Sequence, residues 1–168
     1  MWKVTIINEI CLCDVLLESA KEVFERTVFM PLYKAPEPGH KIEGVSFLGS
    51  ITFKGALEGR LTIYCSLPCA QAITINMLLM DPTDEIYPED IADTIGEVTD
   101  MVMGSVKSRV QEKIGALKVS IASVVSVREL VNSLGRASKV SMEVAIDDNY
   151  PAAFSLWYRE ACDASGEN

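Results

Sequence analysis

Apolar residues recur at Ile91, Ile95, Val98, Val102, Val106, Val110 and Ile114, close to the 3.6-residue period of an α-helix. This spacing predicts a long amphipathic helix opening at Pro88, where proline suits the first turn and Glu89 and Asp90 suit the positive end of the helix dipole. Gly115 is its natural stop. A first helix is expected from about Cys11 to Val28, with Val15, Leu16, Ser19, Val23 and Phe24 toward the core. Pro31, Pro36, Pro38 and Gly39 mark a loop after it. Val45 to Phe53 reads as a strand, Lys54 to Gly59 as a turn, and Arg60 to Ser66 as the returning strand. Pro68 opens a helix through Met80, which Asp81-Pro82-Thr83-Asp84 breaks. Beyond the long helix, Val119 to Val127 is rich in Val, Ile and Ser, as strands are. A connector over 128–137 leads to two more strands, about Lys139–Ile146 and Ala152–Arg159, joined by the turn at 147–151.

The order is helix, two strands, two helices, three strands. It predicts an α+β fold in which helices cover one face of an antiparallel sheet. With 168 residues, 49% of them hydrophobic, the chain suits a single domain over residues 1–160, followed by a flexible tail at 161–168. Asp14, Glu18 and Lys21 in the first helix echo the spacing of Asp93, Glu97 and Asp100 in the long one, a weak internal pseudo-repeat.

Charge and cysteine usage narrow the chemistry. The net charge of −9 argues against binding a phosphate backbone, which needs clustered Lys and Arg. No apolar run reaches the length of a membrane span, and Asn8 and Glu9 interrupt the first residues before they could form a secretion signal. Cys11, Cys13, Cys65, Cys69 and Cys162 form an odd set without zinc-site spacing, so reduced thiols in a cytoplasmic protein are expected, with no metal site. The single histidine, His40, has no nucleophile elbow beside it, and no glycine-rich phosphate loop is present. Met77, Leu78, Leu79 and Met80 suit core or dimer packing, and Trp2 and Trp157 suit partly buried anchors.

Candidate chemistry gathers on the polar face of the long helix. Asp93, Glu97, Asp100, Gly104 and Lys107 advance by three or four residues and share one stripe. Solvated helix faces are commonly acidic, so spacing alone is a weak signal. Two features work against stability, however. Like charges at this spacing cost about 0.2–0.5 kcal/mol per pair, and glycines such as Gly96 and Gly104 cost about 1 kcal/mol each relative to alanine. Their small size would admit another protein beside Glu97 and Asp100, or a neighbouring helix of the same chain.

Taken together, these segments resemble the CheC/CheX/FliY phosphatases of bacterial chemotaxis, CheX most of all in length and order. The resemblance spans roughly residues 10–160. It rests on the first helix from Asp14 to Phe24, on the hairpin from Gly49 to Ile63, and most specifically on Asp90 to Gly104. The family motif has an acidic residue or serine, glutamate four later and asparagine three after that. Asp93, Glu97, Met101 and Gly104 stand where that context expects them, but Asp100 stands where the family carries asparagine. The motif's downstream proline is also missing, since the chain reads Ser120-Ile121-Ala122-Ser123 there.

The resemblance implies a phosphatase acting on the aspartyl-phosphate of a CheY-type receiver. Glu97 would dock against the receiver's lysine and Asp100 would face the attacking water. Asp93, Gly96, Gly104 and Lys107 would line the partner-binding face. It implies no cofactor of the chain's own, with magnesium held by the receiver, and a homodimer paired through its sheets, for which a strand ending near Arg159 offers an edge. The alternative is a catalytically silent receiver-binding module using the same acidic face.

Overall fold

The structure, a computed structural model, describes residues 11–35, 42–128 and 138–161. Trp2, His40, Cys162, most of the 128–137 connector and nearly all of the expected tail lie outside them. Helix α1, Leu12–Val23, runs into a π-helical turn, Phe24–Val28, and ends at Phe29 in the left-handed conformation. Strand β1, Leu32–Lys34, follows. The hairpin of β2, Ser46–Lys54, and β3, Leu57–Ser66, leads into α2, Leu67–Leu78, and the long α3, Pro88–Ile114. Two short strands, β4 (Lys118–Val119) and β5 (Ser123–Val127), precede β6, Ser138–Ile146, and β7, Tyr150–Glu160.

The strands form one antiparallel sheet in the order β1-β6-β7-β3-β2, with β4 and β5 both paired to β2. Alternation decides which side is covered. Phe47, Ile51 and Phe53 of β2, Leu61, Ile63 and Cys65 of β3, Met142 and Val144 of β6, and Phe154 and Leu156 of β7 are buried on one face. They form a single core with Leu16, Ala20 and Phe24 of α1, Ile73 of α2, and Ile91, Ile95, Val98 and Val102 of α3. The Phe24 and Phe154 rings meet edge to face, 6.0 Å between centroids. Registered neighbours on the opposite face are small hydroxyl residues, Ser123, Ser50, Thr62, Ser155 and Ser141 across five strands. The expected α+β architecture, helices over one sheet face, is what forms.

Helix α3 starts as its sequence suggests. Pro88 occupies the first turn, and the Tyr87 N–H donates to the Asp90 carboxylate at 3.3 Å. Gly115 closes it with φ +80°, its N–H donating to the Gln111 carbonyl at 2.9 Å.

Several expectations require correction. Strand β3 begins at Leu57, inside the segment read as a turn, which shrinks to Gly55 and Ala56. Gly59 is a strand residue paired with Tyr158, and it is glycine because a Cβ there would overlap the Trp157 carbonyl of β7. The single strand expected over 119–127 is broken at Ser120–Ala122. Strand β1, hidden among prolines, was not anticipated; it pairs Leu32 with Ile146. Of the Met77–Met80 run, Met77 packs against the core while Leu78 and Leu79 are exposed. Strand β7 is not an edge: β3 and β6 flank it, and Arg159 lies opposite Glu58, Nε to carboxylate 2.6 Å. Trp157, by contrast, is half-buried as expected, beneath Lys139, whose Nζ sits 4.5 Å from the ring centroid.

Candidate functional site on helix α3

Helix α3 buries Ile91, Thr94, Ile95, Val98, Thr99 and Val102, which leaves its acidic stripe facing outward. Contact with β2 is close, because a Cβ on Gly49 would collide with the Thr99 hydroxyl and crowd Ile95. The buried hydroxyls are satisfied within the helix. Thr94 donates to the Asp90 carbonyl at 2.8 Å and Thr99 to the Ile95 carbonyl at 2.7 Å. Backbone and core thus hold the stripe's orientation without help from the carboxylates themselves.

Asp93, Glu97 and Asp100 are all exposed. None forms an ion pair with a described residue. They border a groove of about 380 Å³ between α3 and β5, lined by Ala92, Asp93, Gly96, Glu97, Asp100, Ala122 and Val124. Packing among the described residues does not explain the glycines. A Cβ at Gly96 would touch only Val124 Cγ2, at an ordinary 3.5 Å, and one at Gly104 would meet nothing within 4 Å. Lys107 continues the stripe, half-buried. All six sequence-derived site residues therefore share one face of one helix.

Beside Gly104, α1 is clasped to α3. The Glu22 carboxylate accepts from Arg109 Nη2 at 2.6 Å and from the Ser105 hydroxyl at 3.2 Å, with Arg26 Nη1 at 3.5 Å. The Arg109 hydrogen bond, then that of Ser105, holds the Glu22 carboxyl below its ordinary range. Asp14 and Glu18 on α1 are exposed and Lys21 is half-buried. Cys65 and Cys69 are both buried, and their mutual hydrogen bond, followed by burial, pushes the Cys69 thiol far up, so it is an unreactive packing group.

Chemically, the ridge can accept hydrogen bonds and attract cations, and its residues carry no hydroxyl, thiol or imidazole. Among the described residues, no group of three or more His, Cys, Asp or Glu is arranged to hold a metal ion, and no helix is long and apolar enough to cross a membrane. Sequence reasoning missed the groove's far wall, Ala122 and Val124, and the Glu22–Arg109 clasp. The only available signal for the wall was Ile121 standing alone among small residues.

The family model described as "Chemotaxis phosphatase CheX" matches residues 47–144. Among solved structures, the chemotaxis protein CheX of Vibrio vulnificus is 23% identical with a TM-score of 0.72, covering 87% of this chain and 95% of that one. A CheC-like superfamily protein from Shewanella sp. PV-4 is 21% identical, TM-score 0.69, covering 87% and 96%. A CheX–CheY–BeF3–Mg2+ complex from Borrelia burgdorferi contains a chain 18% identical, TM-score 0.66, covering 88% and 97%. No curated protein matches the sequence.

Proposed function

The chain belongs to the CheX family of chemotaxis phosphatases, and from that premise we propose that it removes the phosphoryl group from the aspartyl-phosphate of a CheY-type receiver, using Glu97 and Asp100. The observation that carries the reading is the outward placement of both carboxylates, without an ion pair among the described residues, on a helix whose opposite side is locked into the core. An exposed carboxylate pair is poorly explained by the chain's own stability, whereas a partner bearing a cation would complete it.

In this reading Glu97 meets the receiver's lysine and so sets the register of docking. Asp100 then accepts a hydrogen bond from a water placed in line with phosphorus. The water oxygen bonds to phosphorus, the bond from phosphorus to the receiver's carboxyl oxygen breaks, and phosphate, a free carboxylate and a proton leave. Positioning is most of what such a transfer needs from the protein. The receiver would hold the magnesium, which neutralises charge on the phosphoryl oxygens. A homodimer formed through sheet edges belongs to the same reading. With β7 interior, the available edges are β1 at one side and β4 with β5 at the other.

Asp100 tunes the rate. An ionised carboxylate accepts but cannot donate, so it offers a phosphoryl oxygen nothing. Like unit charges about 4 Å apart at an effective dielectric constant of 20 repel by about 4 kcal/mol. If screening leaves a third of that, the rate falls about tenfold. The test follows phosphate loss from the phosphorylated cognate receiver. Asp100→Asn is expected to hydrolyse about tenfold faster than the native chain, and Glu97→Ala to approach the spontaneous rate. Decay indifferent to both changes would refute the catalytic role. Asp100 also favours a second reading, the silent binding module, which tight receiver binding with an unaltered phosphate lifetime would select.

A further inference from the structure

The most exposed large aliphatic side chain among the described residues belongs to the segment beside the acidic groove. Ile121 is 92% exposed, in the Ser120–Ala122 connector between β4 and β5. Its neighbour Ala122 lines the groove together with Val124, opposite Asp93, Gly96, Glu97 and Asp100. The connector is held at both ends. The Ser120 N–H donates to the Thr52 carbonyl at 2.9 Å, the Thr52 N–H donates to the Ser120 hydroxyl at 3.0 Å, and the Ser123 and Ser50 hydroxyls lie 3.1 Å apart. A β-branched side chain has few rotamers to lose, and this one sits on a pinned backbone. Little ordering would remain to be done when a partner covers it.

We propose that Ile121 is the apolar anchor of the receiver-docking surface, filling a recess on the receiver next to the pocket that Glu97 and Asp100 enter. This rests on the phosphatase reading above. Two properties of the surface select the occupant. Three carboxylates without an ion pair among the described residues call for a partner presenting cationic charge, and an aliphatic anchor next in the chain to the groove's wall calls for that partner to be a folded protein with apolar surface beside that charge. Binding strength then comes mainly from the connector, and orientation from the ridge.

The experiment measures binding of the full chain to the CheY-type receiver encoded in the same genome, loaded with beryllofluoride and magnesium. Ile121→Asp and Ile121→Ser are compared with Glu97→Gln. Because Ile121 is exposed, both of its variants should melt with the native protein. They are expected to raise the dissociation constant about ten- to a hundredfold, the effect of losing one buried aliphatic side chain. Phosphate release at saturating phosphatase should stay unchanged. A dissociation constant within twofold of native, while Glu97→Gln weakens binding, would overturn the anchor and leave the phosphatase reading standing. If neither site mattered, both would fall. Sedimentation reads the remaining occupant: an Ile121→Asp change that turns a dimer into a monomer would assign the patch to a second copy of the chain and overturn the proposal.

Discussion

Replacing Gly96 and Gly104 with alanine separates a structural role for these glycines from a functional one, because the two roles predict opposite signs. Inside a helix, alanine is favoured over glycine by about 0.8–1.0 kcal/mol. Neither site resists a methyl group: the new Cβ at position 96 would make ordinary contact with Val124, and the one at 104 would point into open space. The residues are eight apart, about 12 Å along the helix axis, so the two gains should add. The double variant should be more stable by about 2 kcal/mol, which for a domain of this size raises the melting temperature by roughly 4–8 °C. Receiver-directed activity should move the other way. A methyl at position 96 projects into the groove between Glu97 and Val124, where a docked partner would approach the backbone. Gly104 lies one helical turn beyond Asp100 and should matter less. Thermal unfolding and phosphate decay from the receiver, measured on the same samples, decide the matter. A double variant that is stabilised yet hydrolyses at the native rate would refute the claim that these glycines serve partner approach. A destabilised one would show that this face of α3 is packed by something within the chain.

Two further outcomes follow from the helix pair that supports the site. Ser19 is fully buried on α1 and its hydroxyl has no hydrogen-bond partner among the described residues; Ser19→Ala should therefore leave chemical-denaturation stability unchanged or raise it by about 1 kcal/mol, and a loss above that size would reveal a hidden partner. Glu22 has a depressed carboxyl pKa in the folded state, so its contribution is present above the unfolded-state value, near 4.5, and is lost as pH falls through the folded-state value. Glu22→Gln should thus lower the melting temperature at neutral pH and converge with the native protein in acid, and a gap that is constant with pH would refute the Arg109 clasp as its cause.

What could be read from the sequence and what could not divides along the range of the interactions. The span of α3 and the face carrying Asp93, Glu97 and Asp100 depend on residues three or four apart, so periodicity located them. Elements governed by distant partners escaped. Gly59 looked like a turn residue because its reason for being glycine is a carbonyl on β7, nearly a hundred positions away. Strand β1 has too few residues to show an alternation and exists because β6 supplies its partners. The strand ending near Arg159 looked like an edge because nothing in a single sequence tells which strands flank it.

The same division bears on the site. Each acidic position comes from one helix, but the groove they border exists only because β5 pairs with β2 and brings Ala122 and Val124 alongside Gly96. One wall of the groove is therefore a product of sheet registry. This arrangement lets chemistry and affinity vary independently. In the proposed mechanism, a change at position 100 alters what the ridge offers to a water or a phosphoryl oxygen without touching the β4–β5 connector. A change at Ile121 alters what the connector offers to a partner surface without moving the helix, whose position is fixed by Ile95 and Thr99 against Gly49 of β2 and by Val98 in the core. Asp100 in place of asparagine therefore need not imply a lost partner: a chain that keeps its anchor can bind as well as before while turning over more slowly. Separate measurement of binding and decay in the Asp100→Asn and Ile121→Asp variants should accordingly place the first effect in the rate and the second in the affinity.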